Sequence, residues 1–407
     1  MEVIDGGVTA AKGFMAAGVA AGIKYTDRKD VALVYSKEPA KVAGMFTSNV
    51  VKAAPVKYDM KIVETSPYVQ AIVANSGIAN AATGEQGMNV CRDSAKAVAD
   101  ALDIPENAVL VASTGVIGNQ IPIDKIKAGA AQAAKELSDT RQSAADAEAA
   151  IMTTDTVPKE IAVSVTIGGK KVTIGGMSKG SGMIHPNMCT MLAFICTDCA
   201  ISKEMLDKAA KCDIPDTFNM ITVDGDTSTN DTYLILANGC AENPVIDCEG
   251  DDLDAFMEAL HYVNEYLAKH MAKDGEGATA LFEVTVKNAS SKEDAKTLAR
   301  SVAGSSLCKA AIFGHDSNFG RFLCALGYSG ADFDPDKVGL AYRSKKGSIC
   351  VFENGLKTDY DEEEAGAILS EDEVTVLIDM NDGSATATAW GCDLSYDYVK
   401  INADYRS

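Results

Sequence analysis

The sequence predicts an α/β fold of layered sheets and helices. Short apolar runs of strand length, such as residues 108–112 and 191–196, are bounded by turns rich in Gly, Asn and Pro. Between such runs lie stretches with helical spacing. The clearest is Asp251–Lys273, where Leu253, Phe256, Met257, Leu260, Val263, Leu267 and Met271 form one apolar stripe. The chain has 407 residues, enough for two or three core-bearing units at roughly 150 residues per domain.

From the N-terminus, residues 31–35 and 43–47 read as two strands and 70–77 as a third that ends in a turn signal. Val90, Ala95, Val98, Ala99 and Leu102 then recur at helical spacing, with Pro105 beyond the helix end. Residues 108–112 form a buried strand that runs into Ser113-Thr114-Gly115-Val116-Ile117-Gly118. A strand entering a Thr-Gly turn can aim a hydroxyl and backbone N–H groups at one spot. That suits an oxyanion hole, and a plain turn is the alternative. Residues 123–137 and 142–152 are helical and lead to Thr153-Thr154-Asp155-Thr156, residue types that favour caps and turns. Residues 161–167 and 171–174 flank Gly168-Gly169-Lys170, a hairpin signal.

In the second half, 205–210 is helical. The acidic loop at 223–231 hints at a Ca²⁺ site, but it lacks the closing glutamate and flanking helices of an EF-hand, so no metal is assigned. The long helix leaves His261 and His270 off its stripe, as surface residues, and runs out at Asp274-Gly275-Glu276-Gly277, where the glycines let the chain bend and bring Glu276 close to whatever lies across, a C-terminal cap with a solvated glutamate being the alternative. A strand at 278–286 precedes a helix at 291–302 with a capping-box-like start, Ser291 to Asp294. Residues 309–313 enter Gly314-His315-Asp316-Ser317-Asn318-Phe319-Gly320-Arg321. A triad built on His315 and Asp316 is disfavoured there, since adjacent residues of a strand face opposite ways. Strands follow at 338–352 and 373–378, and 384–390 alternates small and apolar positions. The last ten residues stay apolar and aromatic, unlike a fraying terminus, and so are tied down.

The formal net charge of −21 argues against a nucleic-acid or anionic membrane surface. Eleven scattered cysteines, an odd number, are no disulfide scaffold. Cys196-Thr197-Asp198-Cys199 is a lone pair without the further ligands a zinc site needs. With no basic and apolar leader and no run of roughly 18 apolar residues, the protein reads as cytoplasmic.

Chemistry concentrates at 179–198. Two glycines, a proline and an asparagine bend the chain before the buried run at 191–196, so Thr190 lies where a tight turn enters a core strand. Three readings suit this position. Cleavage of the Cys189–Thr190 bond would free a threonine nucleophile whose own α-amine, titrating near neutrality, acts as base. A hydrolase could use Ser181 or His185. The stretch could also be a plain turn before a strand.

The string Lys-Gly-Ser-Gly-Met-Ile-His-Pro-Asn-Met-Cys-Thr-Met-Leu at 179–192 resembles the self-cleavage segment of the ornithine acetyltransferase family, the bifunctional glutamate N-acetyltransferases of arginine biosynthesis. Other segments agree in order and spacing along essentially the whole chain. The resemblance implies an αββα self-processing acyltransferase fold and two chains, 1–189 and 190–407, that share one core. It makes Thr190 the nucleophile and Thr114 and Gly115 the oxyanion donors. Thr153 becomes a substrate wall, with Thr154 as the alternative. Lys179 meets a carboxylate or steadies the nucleophile, Glu276 meets a substrate amino group, and Asn402 and Ser407 complete the site. Cys189 replaces the family's usual alanine and Ser407 its usual threonine, both small changes. The implied reaction moves acetyl from N-acetylornithine to glutamate by a ping-pong route, with acetyl-CoA as a further donor and no cofactor. The implied assembly is a heterotetramer of two α and two β chains. An amide hydrolase of the same self-cleaving type and an uncleaved amino-acid-binding protein are the rival readings.

Overall fold

The computed structural model describes residues 1–185 and 191–404. In chain order the first part forms β1 (Glu2–Ile4), β2 (Phe14–Val19), β3 (Val31–Phe46), α1 (Ala54–Thr65), β4 (Val69–Asn75), α2 (Gly84–Leu102), β5 (Val109–Ser113), α3 (Ile123–Glu136) and α4 (Arg141–Ile151). The middle forms β6 (Glu160–Ile167), β7 (Lys170–Lys179), β8 (Leu192–Thr197), α5 (Lys203–Asp213), β9 (Ile221–Thr222), β10 (Thr232–Ala237) and α6 (Asp251–Lys273). The remainder forms β11 (Leu281–Ala289), α7 (Lys292–Gly304), α8 (Ser306–Phe313), α9 (Phe319–Gly327), β12 (Gly339–Ser344), β13 (Gly347–Glu353), β14 (Leu356–Lys357), α10 (Glu362–Leu369), β15 (Glu373–Asp379), β16 (Ala385–Cys392) and α11 (Tyr396–Ala403). The α/β reading holds.

The chain divides into two compact units. The first takes residues 1–180, 186–219 and 227–267 and contains a mixed sheet in the order β1-β6-β7-β8-β10-β3-β4-β5, with β2 also paired to β3. Helices α1 and α2 pack on β5, α3 and α4 on β2 and β3, and α5 on β3. One apolar cluster joins residues from Val8 to Met177 with Leu192, Phe194, Cys196, Leu234 and Leu236. Strands from before residue 189 and after residue 190 therefore alternate in one sheet and share one core. The second unit, 181–185, 220–226 and 268–407, contains a sheet in the order β14-β13-β12-β15-β11-β16-β9, with α7 packed on β11 and β16 and α10 on β12 and β13.

Most expected elements appear within a few residues of their predicted ends, with instructive differences. The strands expected at 31–35 and 43–47 are a single strand, β3. Its first half pairs with β2 and β4 and its second with β10, and a register shift against β4 between Tyr35 and Ala40 accommodates Pro39. The Gly168-Gly169 hairpin is as expected, both residues at positive φ. His315 does not lie in a strand: α8 ends just before it, and His315 takes a left-handed turn at φ 53°. The C-terminal stretch is described as far as residue 404 as a helix, α11, none of whose residues is buried; it is capped by Ser395, whose hydroxyl donates to the Gly277 carbonyl at 2.5 Å, and the remainder of the stretch expected to be tied down lies outside the described residues. Among the described residues no helix is long and apolar enough to cross a membrane.

Candidate active site

In the first unit, β5 delivers Thr114 and Gly115 to a heavily braced turn. The Ser113 hydroxyl donates to Asn75 Oδ1 at 2.7 Å, and Asn75 Nδ2 donates to the Ile78 carbonyl at 2.9 Å. Asn230 Nδ2 donates to the carbonyls of Ser113 at 2.8 Å and Ala79 at 2.5 Å. The Thr114 N–H is bonded to the Asn75 carbonyl at 2.9 Å, which leaves its hydroxyl as the group it can offer. Gly115 has φ 126°, and a Cβ there would lie 2.3 Å from the Gly77 carbonyl carbon, so this position requires glycine. Its N–H has no acceptor among the described residues. A preset hydroxyl and N–H at one turn match the donor pattern of an oxyanion hole.

The same unit holds a buried ionic cluster. Lys179 ends β7, and its ammonium lies 3.4 Å from the Thr114 hydroxyl and 3.9 Å from Asp155 Oδ2. Asp155 also pairs with Lys159, a fully buried lysine, at 2.9 Å, and accepts from the N–H groups of Thr153 at 2.9 Å and Gly180 at 2.7 Å. Burial alone would raise the Asp155 carboxyl, but the Lys179 and Lys159 charges and the Thr153 N–H overcome it and hold the group well below the usual carboxylate range. Thr153 is thus fixed through its backbone on one side by Asp155, and on the other by Arg28, which donates to the Thr153 carbonyl at 3.3 Å and to that of Met152. Across the sheet, Lys179 is the register partner of Leu192, two residues after Thr190.

In the second unit, the loop 181–185 is clamped by the acidic loop that followed no metal template. Asp224 accepts from the N–H groups of Met183 at 2.6 Å and Ile184 at 2.8 Å. His185 Nδ1 lies 3.0 Å from the Thr222 hydroxyl and its Nε2 3.3 Å from Arg300, and burial followed by the Arg300 charge holds its pKa below the ordinary value. The fully buried Ser181 hydroxyl donates to the Asp274 carbonyl at 2.6 Å, which disfavours it as a nucleophile. Glu276 is not solvated: it is 6% exposed, its N–H donates to the Ser181 carbonyl at 2.9 Å, and its Oε2 accepts from Asn402 Nδ2 at 2.8 Å. A Cβ on Gly182 would lie 2.3 Å from the Glu276 carboxyl carbon, so glycine is needed where this carboxylate approaches the chain. Burial first, then the Asp224 and Glu276 charges, push the Tyr398 phenol up.

Thus Thr114, Gly115, Thr153 and Lys179 are gathered in one unit, and Glu276 and Asn402 in the other. Thr190, Cys189 and Ser407 lie outside the described residues. Sequence reasoning missed the organising roles of Asp155, Lys159 and Asp224. The available signal was an aspartate set among threonines with a lysine four residues on. Cys196 and Cys199 are buried thiols, pushed up by burial, and no group able to hold a metal is found among the described residues. His261, expected on the surface, is half-buried with Nδ1 2.6 Å from Asp213 Oδ1.

The ArgJ family profile matches residues 15–407. The arginine biosynthesis bifunctional protein ArgJ of Caldanaerobacter subterraneus is 51% identical over 407 residues, all of both chains. That of Thermotoga neapolitana is 50% identical over 397 residues, 97% of this chain and 99% of the relative. A crystal structure of arginine biosynthesis bifunctional protein argJ from Bacillus halodurans is 43% identical with a TM-score of 0.50, over 52% of this chain and 97% of the solved one. With the family match spanning nearly the whole sequence, the chain belongs to the ArgJ family.

Proposed function

We propose that this chain cuts itself before Thr190 and then transfers acetyl from N2-acetyl-L-ornithine to L-glutamate, as an acyltransferase of arginine biosynthesis. In maturation the Thr190 hydroxyl attacks the Cys189 carbonyl, the peptide bond shifts to an ester, and water releases Thr190 with a free α-amine. In turnover that amine takes the hydroxyl proton while the oxygen attacks the acetyl carbonyl. Negative charge develops on the carbonyl oxygen, where the Thr114 hydroxyl and Gly115 N–H are aimed. Ornithine leaves with the proton on its amine, and the amine of glutamate then takes the acetyl from the threonine ester. Lys179 meets a substrate carboxylate, and Glu276, steadied by Asn402, meets an amino group. Glutamate acetylation from acetyl-CoA is a second use of the same ester, in keeping with the relatives' description as bifunctional.

One observation carries the reading. Leu192 pairs with Lys179, Lys179 reaches the Thr114 hydroxyl, and Asn230, just before β10, ties down the Ser113 carbonyl. The chain position following Thr190 and the proposed oxyanion turn are therefore knit into one sheet end. Thr190→Ala tests the proposal: a denaturing gel should show one uncut 42.7 kDa chain where the parent shows two bands. Full processing of the variant would reject it. Acetyl transfer to glutamate rather than water separates the enzyme from a hydrolase, and native mass tests an assembly of two copies of each piece.

A further inference from the structure

The loop between β2 and β3 collects positive charge around an exposed aromatic ring, in a chain whose net charge is −21. Lys24 Nζ lies 5.0 Å from the centroid of the Tyr25 ring and the Arg28 guanidinium carbon 5.2 Å from it. Tyr25 is 41% exposed. Lys125 joins them through the Gly22 carbonyl, to which its ammonium donates. Lys29 is neutralised by Asp146, and Asp27 is the one carboxylate among residues 24–28. This platform is mounted on the candidate active site. Arg28 braces the Met152 and Thr153 carbonyls, and Lys24 lies against Gly77, the residue on which Gly115 packs: a Cβ on Gly77 would come within 2.9 Å of Lys24 Cβ, and one on Gly115 within 2.3 Å of the Gly77 carbonyl carbon.

We propose that this loop binds the nucleoside-phosphate end of a CoA thioester, with the base on the Tyr25 ring and the phosphates on Lys24, Arg28 and Lys125. Aromatic rings accept bases of any kind by stacking, and guanidinium and ammonium groups suit phosphate oxygens. An amino-acid donor would have no use for such a platform. A CoA thioester would, because its pantetheine arm separates the acyl carbon from the phosphates. Its phosphate site must therefore lie away from the acyl carbon but within the arm's reach of it, and this loop is tied to the acyl side through Thr153 and, by way of Gly77, through Gly115. The acetyl–sulfur bond then breaks as the acetyl–oxygen bond to Thr190 forms, and the hydroxyl proton leaves on the thiol.

The inference rests on the two-donor reading of the function, and its test is separable from it. Adenosine 3′,5′-bisphosphate, titrated calorimetrically into the processed enzyme, should bind. Tyr25→Ala and Lys24→Gln should each weaken that binding about tenfold, and Lys24→Arg should restore it. The KM for acetyl-CoA should rise in parallel, while transfer from N-acetylornithine to glutamate keeps its kcat and KM. If the parent fails to bind the bisphosphate, or inorganic phosphate competes equally well with it, the platform is not a nucleotide site. If the variants raise the KM for N-acetylornithine as much as that for acetyl-CoA, the loop supports the amino-acid site instead, and the proposal falls. Loss of transfer from N-acetylornithine in the parent enzyme would instead count against the proposed function itself.

Discussion

Asp155 binds Lys159 and Lys179 with its oxygens while accepting N–H groups from Thr153 and Gly180, so the 153–159 stretch and the end of β7 meet on one buried carboxylate. Asp155→Asn keeps the shape and removes the charge. It removes the carboxylate charge that both Lys159 and Lys179 face, and breaking a buried pair in this way costs about 3–5 kcal/mol. The denaturant midpoint should fall accordingly, and acetyl transfer should fall further than the midpoint explains, because Lys179 and the Thr153 backbone lose their common anchor. Unchanged activity in a folded variant would show that Lys179 is positioned by other groups. At this scale the sequence announced the candidate site groups better than their supports. Thr114, Lys179 and Glu276 stood out by resemblance. Asp155 looked like one polar residue in a turn, since what it holds lies 25 residues away at Gly180, a distance no local pattern encodes.

At the scale of elements, α4 and the start of β6 are joined by Glu148, a fully buried glutamate whose Oε1 accepts the Lys159 N–H at 3.0 Å and whose Oε2 has no hydrogen-bond partner among the described residues. Burial pushes its carboxyl up from 4.5 to about 8, against the opposing Lys159 N–H and charge. A raised folded pKa means that the folded state holds the proton more tightly than the unfolded chain. Its contribution is complete below about 4.5 and is lost as pH rises through about 8. Glu148→Gln removes this titration, so the fall in denaturation midpoint between pH 5 and 8 should be shallower than in the parent, and equal slopes would disprove it. Elements with their own periodicity, such as α6 with its apolar stripe, were legible from sequence alone. Others were not. Helix α1, with Pro55 in its first turn, shows no clean stripe, and the continuity of β3 through Pro39 depends on partners far along the chain. Helix α11 was legible only as a terminus that is held, because its partners, Gly277 for the Ser395 cap and Glu276 for Asn402, lie far back along the chain.

At the scale of the molecule, β8 is flanked by β7 on one side and β10 on the other. Pieces 1–189 and 190–407 should therefore co-elute as one species under native conditions and part only in denaturant. Elution of separate native pieces would contradict the shared sheet. Without β8 and β10, the first piece would keep β1-β6-β7 and the group β2, β3, β4 and β5 as disconnected fragments, with β7 and β3 left as raw edges. Open edges of that kind recruit further strands and aggregate. A gene split at codon 190 should thus yield a first product that aggregates rather than a working pair, so any division before Thr190 would have to follow folding of the whole polypeptide.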